Sequence, residues 1–269
     1  MNILILGDVF GEPGRAAVKS ILPNLIKKKK VDFVVINGEN SADNGMGITK
    51  KNAEELFQSG ANVITTGNHV WDQKEAIEFI DKEKRILRPQ NLFQGSPGKG
   101  FETFFLKNNK KITVINLMGN VFMKKCENVF QEAEKFIKKV KLKEDTDFIV
   151  VDMHGETTSE KLAMGHFFDG KASVVIGTHT HVPTADFRIM KKGTAYQTDL
   201  GMCGNYDSVI GMDKGNSIKK FFKDKEAKNH FPATGNGILS GLFIDCNEET
   251  GLANEVEQII IGGSSEGRI

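Results

Sequence analysis

The feature that most constrains this chain is a junction met five times: a short apolar run that ends at a glycine beside a metal-competent polar residue. Residues 3–6 lead into Gly7-Asp8, and residues 33–36 into Gly38-Glu39-Asn40. Residues 62–66 lead into Gly67-Asn68-His69, residues 148–152 into Asp152-Met153-His154-Gly155, and residues 172–176 into Gly177-Thr178-His179-Thr180-His181. Runs this short, rich in Val and Ile, read as buried strands. The stretches between them have helical length and pattern at about 15–30, 50–59, 73–82 and 127–141. Strands alternating with helices predict βαβ units, an α/β fold and a mainly parallel sheet. In such sheets ligands bind beyond the carboxyl ends of the strands, where these junctions lie. A glycine at each lets the backbone turn sharply and approach a ligand.

Outside that pattern, residues 101–106 and 112–117 are close enough to predict a hairpin or sheet edge. After Pro183 the runs 187–190, 194–197, 238–245 and 255–261 have glycine-bearing connections and predict a second, more antiparallel sheet. There is no long linker rich in Pro, Ser or Gly and no repeat, so residues 1–269 are expected to form a single domain. The like-charge run Lys27–Lys30 falls at a predicted helix end, where cations suit the dipole.

Each junction residue has a structural explanation when taken singly. Asp8 suits a helix N-cap, Asn68 a turn, and His154 a hydrogen-bonded place in the core. Five together are harder to explain by capping. Carboxylate, amide oxygen and imidazole suit borderline-to-hard ions such as manganese, iron or zinc. The set leaves positions open for water and substrate. Two divalent ions against only Asp8 and Glu39 leave surplus positive charge, which attracts a phosphate anion. Such a centre lowers the pKa of its water and clamps phosphoryl oxygens.

Bulk properties narrow the substrate. The net charge is +1, so no global basic field draws nucleic acid in, and strong general nucleic-acid binding is not expected. The three cysteines, Cys126, Cys203 and Cys246, are widely spaced and read as reduced and structural. The N-terminal apolar run is too short for a signal-peptide core and no run approaches a membrane span, so the chain is expected in the cytoplasm.

Gly7-Asp8, Gly67-Asn68-His69, His154 and Gly177-Thr178-His179-Thr180-His181, in that order, resemble the calcineurin-like metallophosphoesterase signature. Two departures stand out. Phe10 replaces the usual histidine two residues after the first aspartate, and Glu39, with Asn40 beside it, replaces the usual bridging aspartate. Together with Gly38-Glu39-Asn40-Ser41-Ala42, Arg88-Pro89-Gln90-Asn91 and Gly201-Met202-Cys203-Gly204, they resemble the YmdB-like branch over nearly the whole chain. The resemblance implies a four-layer αββα sandwich with its metal site at the C-terminal ends of the strands. It implies two divalent or mixed-valence ions, iron or manganese before magnesium or zinc. Glu39 would bridge them, with Asp8, Asn40 and His181 on one and Asn68, His154 and His179 on the other. His69 would be the general acid for attack by a metal-bridging hydroxide. The implied activity is a phosphodiesterase acting on small phosphodiesters, notably 2′,3′-cyclic nucleotides.

Other features carry less. Gly11-Glu12-Pro13-Gly14 lacks the Gly-Lys-Ser/Thr ending of a phosphate loop and reads as a turn into the first helix. His166 and His230 read as surface or packing residues, and Trp71 as loop packing. Asn205 and Tyr206 are candidates for a substrate wall, with a structural loop as the equal alternative. Two other functions stay open: a nuclease or phosphoprotein phosphatase on the same metals, and a regulatory binding protein that retains the metal site. The homo-oligomeric state is open as well.

Overall fold

Alternate residues of the first strand face two different cores. In β1 (Asn2–Leu6), Leu4 and Leu6 pack with Val18, Leu22 and Leu25 of α1 (Gly11–Lys29) and Ala53 and Leu56 of α2 (Lys50–Ser59). Ile3 and Ile5 face the other way, with Val35 of β3 (Phe33–Asn37) and Val63 of β4 (Val63–Thr65). They meet Val114 of β7 (Lys111–Met118), Val150 of β8 (Phe148–His154) and Ile176 of β9 (Val174–Thr178). On the far side of these last strands, Ile115, Val151 and Val175 pack with Phe136 of α4 (Val129–Lys139) and Phe168 of α5 (Thr158–Phe168). Helix, sheet, sheet and helix thus stack as an αββα sandwich in this computed structural model, which describes residues 1–106 and 109–263. No helix among them is long and apolar enough to cross a membrane.

The two large sheets have six strands each. In the first, β1, β3, β4 and β5 (Ile86–Leu87) run parallel, and β13 (Ile238–Cys246) and β14 (Ala253–Gly262) add antiparallel on the far edge. In the second, β7, β8, β9 and β11 (Ala195–Gln197) are parallel. There β6 (Phe101–Phe105) and β10 (Arg188–Ile189) close the edges antiparallel. The short strand β2 (Asp8–Val9) pairs separately with β12 (Met202–Cys203).

This corrects two expectations. The early strands do not share one parallel sheet, and the runs after Pro183 do not build a second one. β13 and β14 return to the first sheet, and β10 and β11 extend the second. Periodicity identifies a strand buried on both faces but does not name its partner. The hairpin of β6 and β7 and the first three βα alternations are as expected. Helix boundaries shift. Gly11-Glu12-Pro13-Gly14 is already the first turn of α1, where a proline costs no helix bond. The third helix, α3 (Ala76–Ile80), is shorter than the periodicity predicts. Two helices lie beyond those the sequence pattern predicts, α5 and α6 (Lys214–Phe221).

Candidate active site

The five junctions meet where the carboxyl ends of the two sheets face each other. Asp8, Glu39, Asn40 and Asn68 come from the first sheet's side, and His154, His179 and His181 from the second. His154 is the centre. Its Nε2 lies 2.9 Å from Glu39 Oε1, 3.0 Å from Asn68 Oδ1 and 3.1 Å from His179 Nδ1. One ring nitrogen cannot donate to three acceptors, so these lone pairs converge on one point. Glu39, His154 and His179 place their ligand atoms within 4.8 Å of one another.

The rest of the set fits a cation by its unmet hydrogen bonds. Asp8 Oδ1, Glu39 Oε1 and Asn40 Oδ1 are buried without a hydrogen-bond partner, and Glu39 Oε1, though near His154, is not aligned for one. Buried polar atoms are normally paired, so three orphaned oxygens among the predicted ligands fit metal coordination. Asn40 Nδ2 donates to Gly45 O at 2.8 Å, which leaves its Oδ1 as the free end. Gly67 must lack a side chain, because a Cβ there would come within 2.3 Å of Glu39 Oε2 and His154 Nε2.

The imidazoles are held in place by their other nitrogens. His154 Nδ1 is 2.9 Å from Thr178 Oγ1, and that hydroxyl donates to Asp152 Oδ1 at 2.7 Å. Asp152 Oδ2 accepts from Asn37 Nδ2 and Thr65 Oγ1, tying both sheets together under the site. His181 Nδ1 reaches Ile210 O at 2.8 Å, and His179 Nε2 is 3.1 Å from Glu156 Oε2. Such partners fix a ligand histidine's tautomer and orientation. His179 and His181 sit at φ +102° and +65°, backbone that side chains rarely adopt. Two carboxylates hold that loop: His179 N donates to Asp8 Oδ2, and Thr180 N to Asp199 Oδ2. Asp199 is in turn paired with buried Lys161 at 2.6 Å.

Electrostatics favour positive charge at His154. Burial resists ionisation of Glu39, but His154 outweighs it and holds the carboxyl down at about 2. Burial likewise opposes charge on His154, and Glu39 beside it prevails, pushing the imidazole up to about 9. Burial, reinforced by His154, brings His179 down to about 3, and burial also lowers His181. Asp8 is raised well above the usual carboxylate range, chiefly by burial.

A cavity of about 390 Å³ opens over this floor. His69 lines it, with its Nδ1 2.6 Å from Asp72 Oδ2 and its backbone N donating to Glu39 Oε2. Phe10 lies under His181, ring edge to face at 5.2 Å. Met46, Ile210, Met212 and His230 form the outer wall, so His230 is at the site rather than in ordinary surface packing. Trp71 packs against the outer core as expected. Asn205 turns toward the neighbouring segment at Thr234, and Tyr206 turns into its own loop. Asn205 Nδ2 donates to Thr234 O, and the Tyr206 hydroxyl both accepts from Met202 N and donates to Met202 O. Neither lines the cavity.

Sequence reasoning left the supporting residues unassigned. Asp152 was readable, since it sits two residues before His154 and therefore on the same strand face. Thr178 and His154 are register partners on β9 and β8, which only the pairing reveals.

Comparison with known proteins agrees with the fold. The YmdB-like protein family model matches residues 4–259. Over 261 residues, 97% of both chains, the sequence is 47% identical to a 2′,3′-cyclic-nucleotide 2′-phosphodiesterase of Bacillus subtilis (strain 168). A solved structure of a novel phosphatase from Mycoplasma pneumoniae superposes with a TM-score of 0.90 at 37% identity, covering 97% of this chain and 93% of that one. A hypothetical protein from Thermus thermophilus gives 0.89 at 34% identity, covering 97% and 99%.

Proposed function

The chain belongs to the YmdB-like family of the metallophosphoesterase fold, and from that premise we propose that it hydrolyses small phosphodiesters, 2′,3′-cyclic nucleotides foremost, at a centre of two metal ions. It is a hydrolase of the phosphodiesterase class, and its family uses divalent metal. The observation that carries the reading is the convergence of Glu39, Asn68 and His179 on His154 Nε2, beside a cavity that Glu39 and His179 line. Asp8, Asn40 and His181 would hold one ion and Asn68, His154 and His179 the other, with the Glu39 carboxylate shared between them. The donor set suits manganese, iron or zinc, and the family resemblance puts iron or manganese before magnesium or zinc. When bound, the ions supply Lewis acidity and lower the pKa of water at the site.

The chain's own residues do the rest. Thr178 and Asp152 hold the His154 ring, Ile210 O holds His181, and Lys161 with Asp199 holds the loop between β9 and β10. Asp72 grips His69 at Nδ1. His69 then gives its proton to the departing alkoxide, which is a poor leaving group unprotonated. The chain works as a single domain, because its last two strands complete the first sheet. It acts in the cytoplasm.

Elemental analysis of metal-loaded protein should find two ions per chain. Glu39→Gln should lower that content most. A panel of cyclic mononucleotides, linear dinucleotides, phosphopeptides and duplex DNA at matched salt should give fastest turnover on the cyclic mononucleotides. Faster turnover of duplex DNA would favour the nuclease alternative, and one ion or none would end the dinuclear reading.

A further inference from the structure

Ile210 is a β-branched residue held at φ +49°. A branched Cβ in the left-handed region is a genuine outlier, and such strain concentrates at functional sites. Gly211 follows it at φ +97°, so two successive residues hold this unusual backbone. The carbonyl of Ile210 has a clear use, accepting from His181 Nδ1 at 2.8 Å. A glycine would supply that same carbonyl without strain. The isoleucine side chain is 53% exposed and adds little to any core. What it does add is a wall of the cavity, shared with Met46 and Met212.

That wall carries His230 as well, but the three side chains of Ile210, Met46 and Met212 give it an apolar stretch. Unbranched thioether side chains adapt to irregular and flat partners and make favourable sulfur contacts with aromatic rings. At about 390 Å³ the cavity is in the size range of small-molecule sites. We propose that Ile210 is a specificity-determining residue whose side chain, with Met46 and Met212, seats the nucleobase of the substrate. The enzyme then selects phosphodiesters that carry a flat ring over those that do not. This rests on the phosphodiesterase reading above, and it ties selection to the metal centre, since one residue forms the wall and anchors His181.

The test compares 2′,3′-cyclic AMP with base-free ribose 2,3-cyclic phosphate in manganese-loaded wild type, Ile210→Ala and Ile210→Gly. Loss of part of an apolar contact should lower the ratio of kcat/KM for the nucleotide to that for the base-free ester about tenfold, carried by KM. Ile210→Gly takes the same φ without strain and should give the same fall even if the alanine variant folds poorly. A ratio that stays at the wild-type value in the folded variants, or an equal loss on both esters, would overturn the assignment while leaving the hydrolase intact. A wild type inert on both esters would overturn the phosphodiesterase reading and this inference with it.

Discussion

Thr178 Oγ1 stands 2.9 Å from His154 Nδ1 and donates its own hydrogen bond to Asp152 Oδ1. The hydroxyl can accept from the imidazole because it donates to the carboxylate, and that order leaves the His154 Nε2 lone pair facing Glu39, Asn68 and His179. Thr178→Val keeps the shape and removes the relay. Loss of a partner of this kind typically costs about 10–100-fold in metal affinity. Titration of the metal-free variant with manganese should read that loss. An affinity equal to wild type would mean that packing alone orients the ring.

Metal uptake should expel a proton. Burial opposes charge on His154, but Glu39 beside it pushes the imidazole up to about 9 in the metal-free protein. Coordination needs that nitrogen unprotonated. From neutral pH up to about 9 the metal-free form therefore carries a proton that the loaded form cannot. Affinity should strengthen as pH rises through that window and level off above it. Calorimetry in buffers of different ionisation enthalpy should report about one proton released per His154. Identical heats in all buffers would count against the assignment.

The candidate ligands were legible in the sequence because each lies in a junction where an apolar run meets a glycine. Their supports were less so. Asp152 shares a strand face with His154 and follows from period-two reading. Ile210 serves His181 through a carbonyl, which residue identity does not announce. The division into two sheets was hidden because β1 and β8 are buried on both faces, so neither shows which neighbour it takes. The strands β2, β5 and β12 have two residues each, too few for any period to register. α6 was obscured by Gly215 and Asn216 in its first turns, and only the cap of Asp213 Oδ1 on Asn216 N marks its start.

Lys161 is charged and fully buried, and its ammonium is held by Asp199 Oδ2 at 2.6 Å and Thr178 O at 3.0 Å. Removing one partner of a buried pair leaves the other charge uncompensated, at a typical cost of about 3–5 kcal/mol. Lys161→Met should show that loss in urea unfolding of the metal-free protein. It should also weaken metal binding, because Asp199 Oδ2 accepts Thr180 N between His179 and His181. A stability change below about 1 kcal/mol, in the range of exposed ion pairs, would mean the pair is better solvated than its burial implies.

His69 separates protonation from metal binding. It directly follows Asn68 but faces the cavity with its Nδ1 held by Asp72, and Lys124 Nζ in turn contacts Asp72 Oδ1 at 3.3 Å. A carboxylate on one ring nitrogen leaves the other to exchange a proton with substrate. Loss of a general acid typically lowers the rate about 10²–10⁴-fold. His69→Ala should lose that factor on cyclic nucleotides while elemental analysis finds its metal content intact. Esters of p-nitrophenol leave without protonation, so their turnover should fall far less. Asp72→Asn should show the same leaving-group pattern in weaker form, since it loosens the ring without removing it. Equal losses on natural and activated esters, or metal lost from His69→Ala, would reassign the imidazole to holding the metal centre together rather than donating the proton.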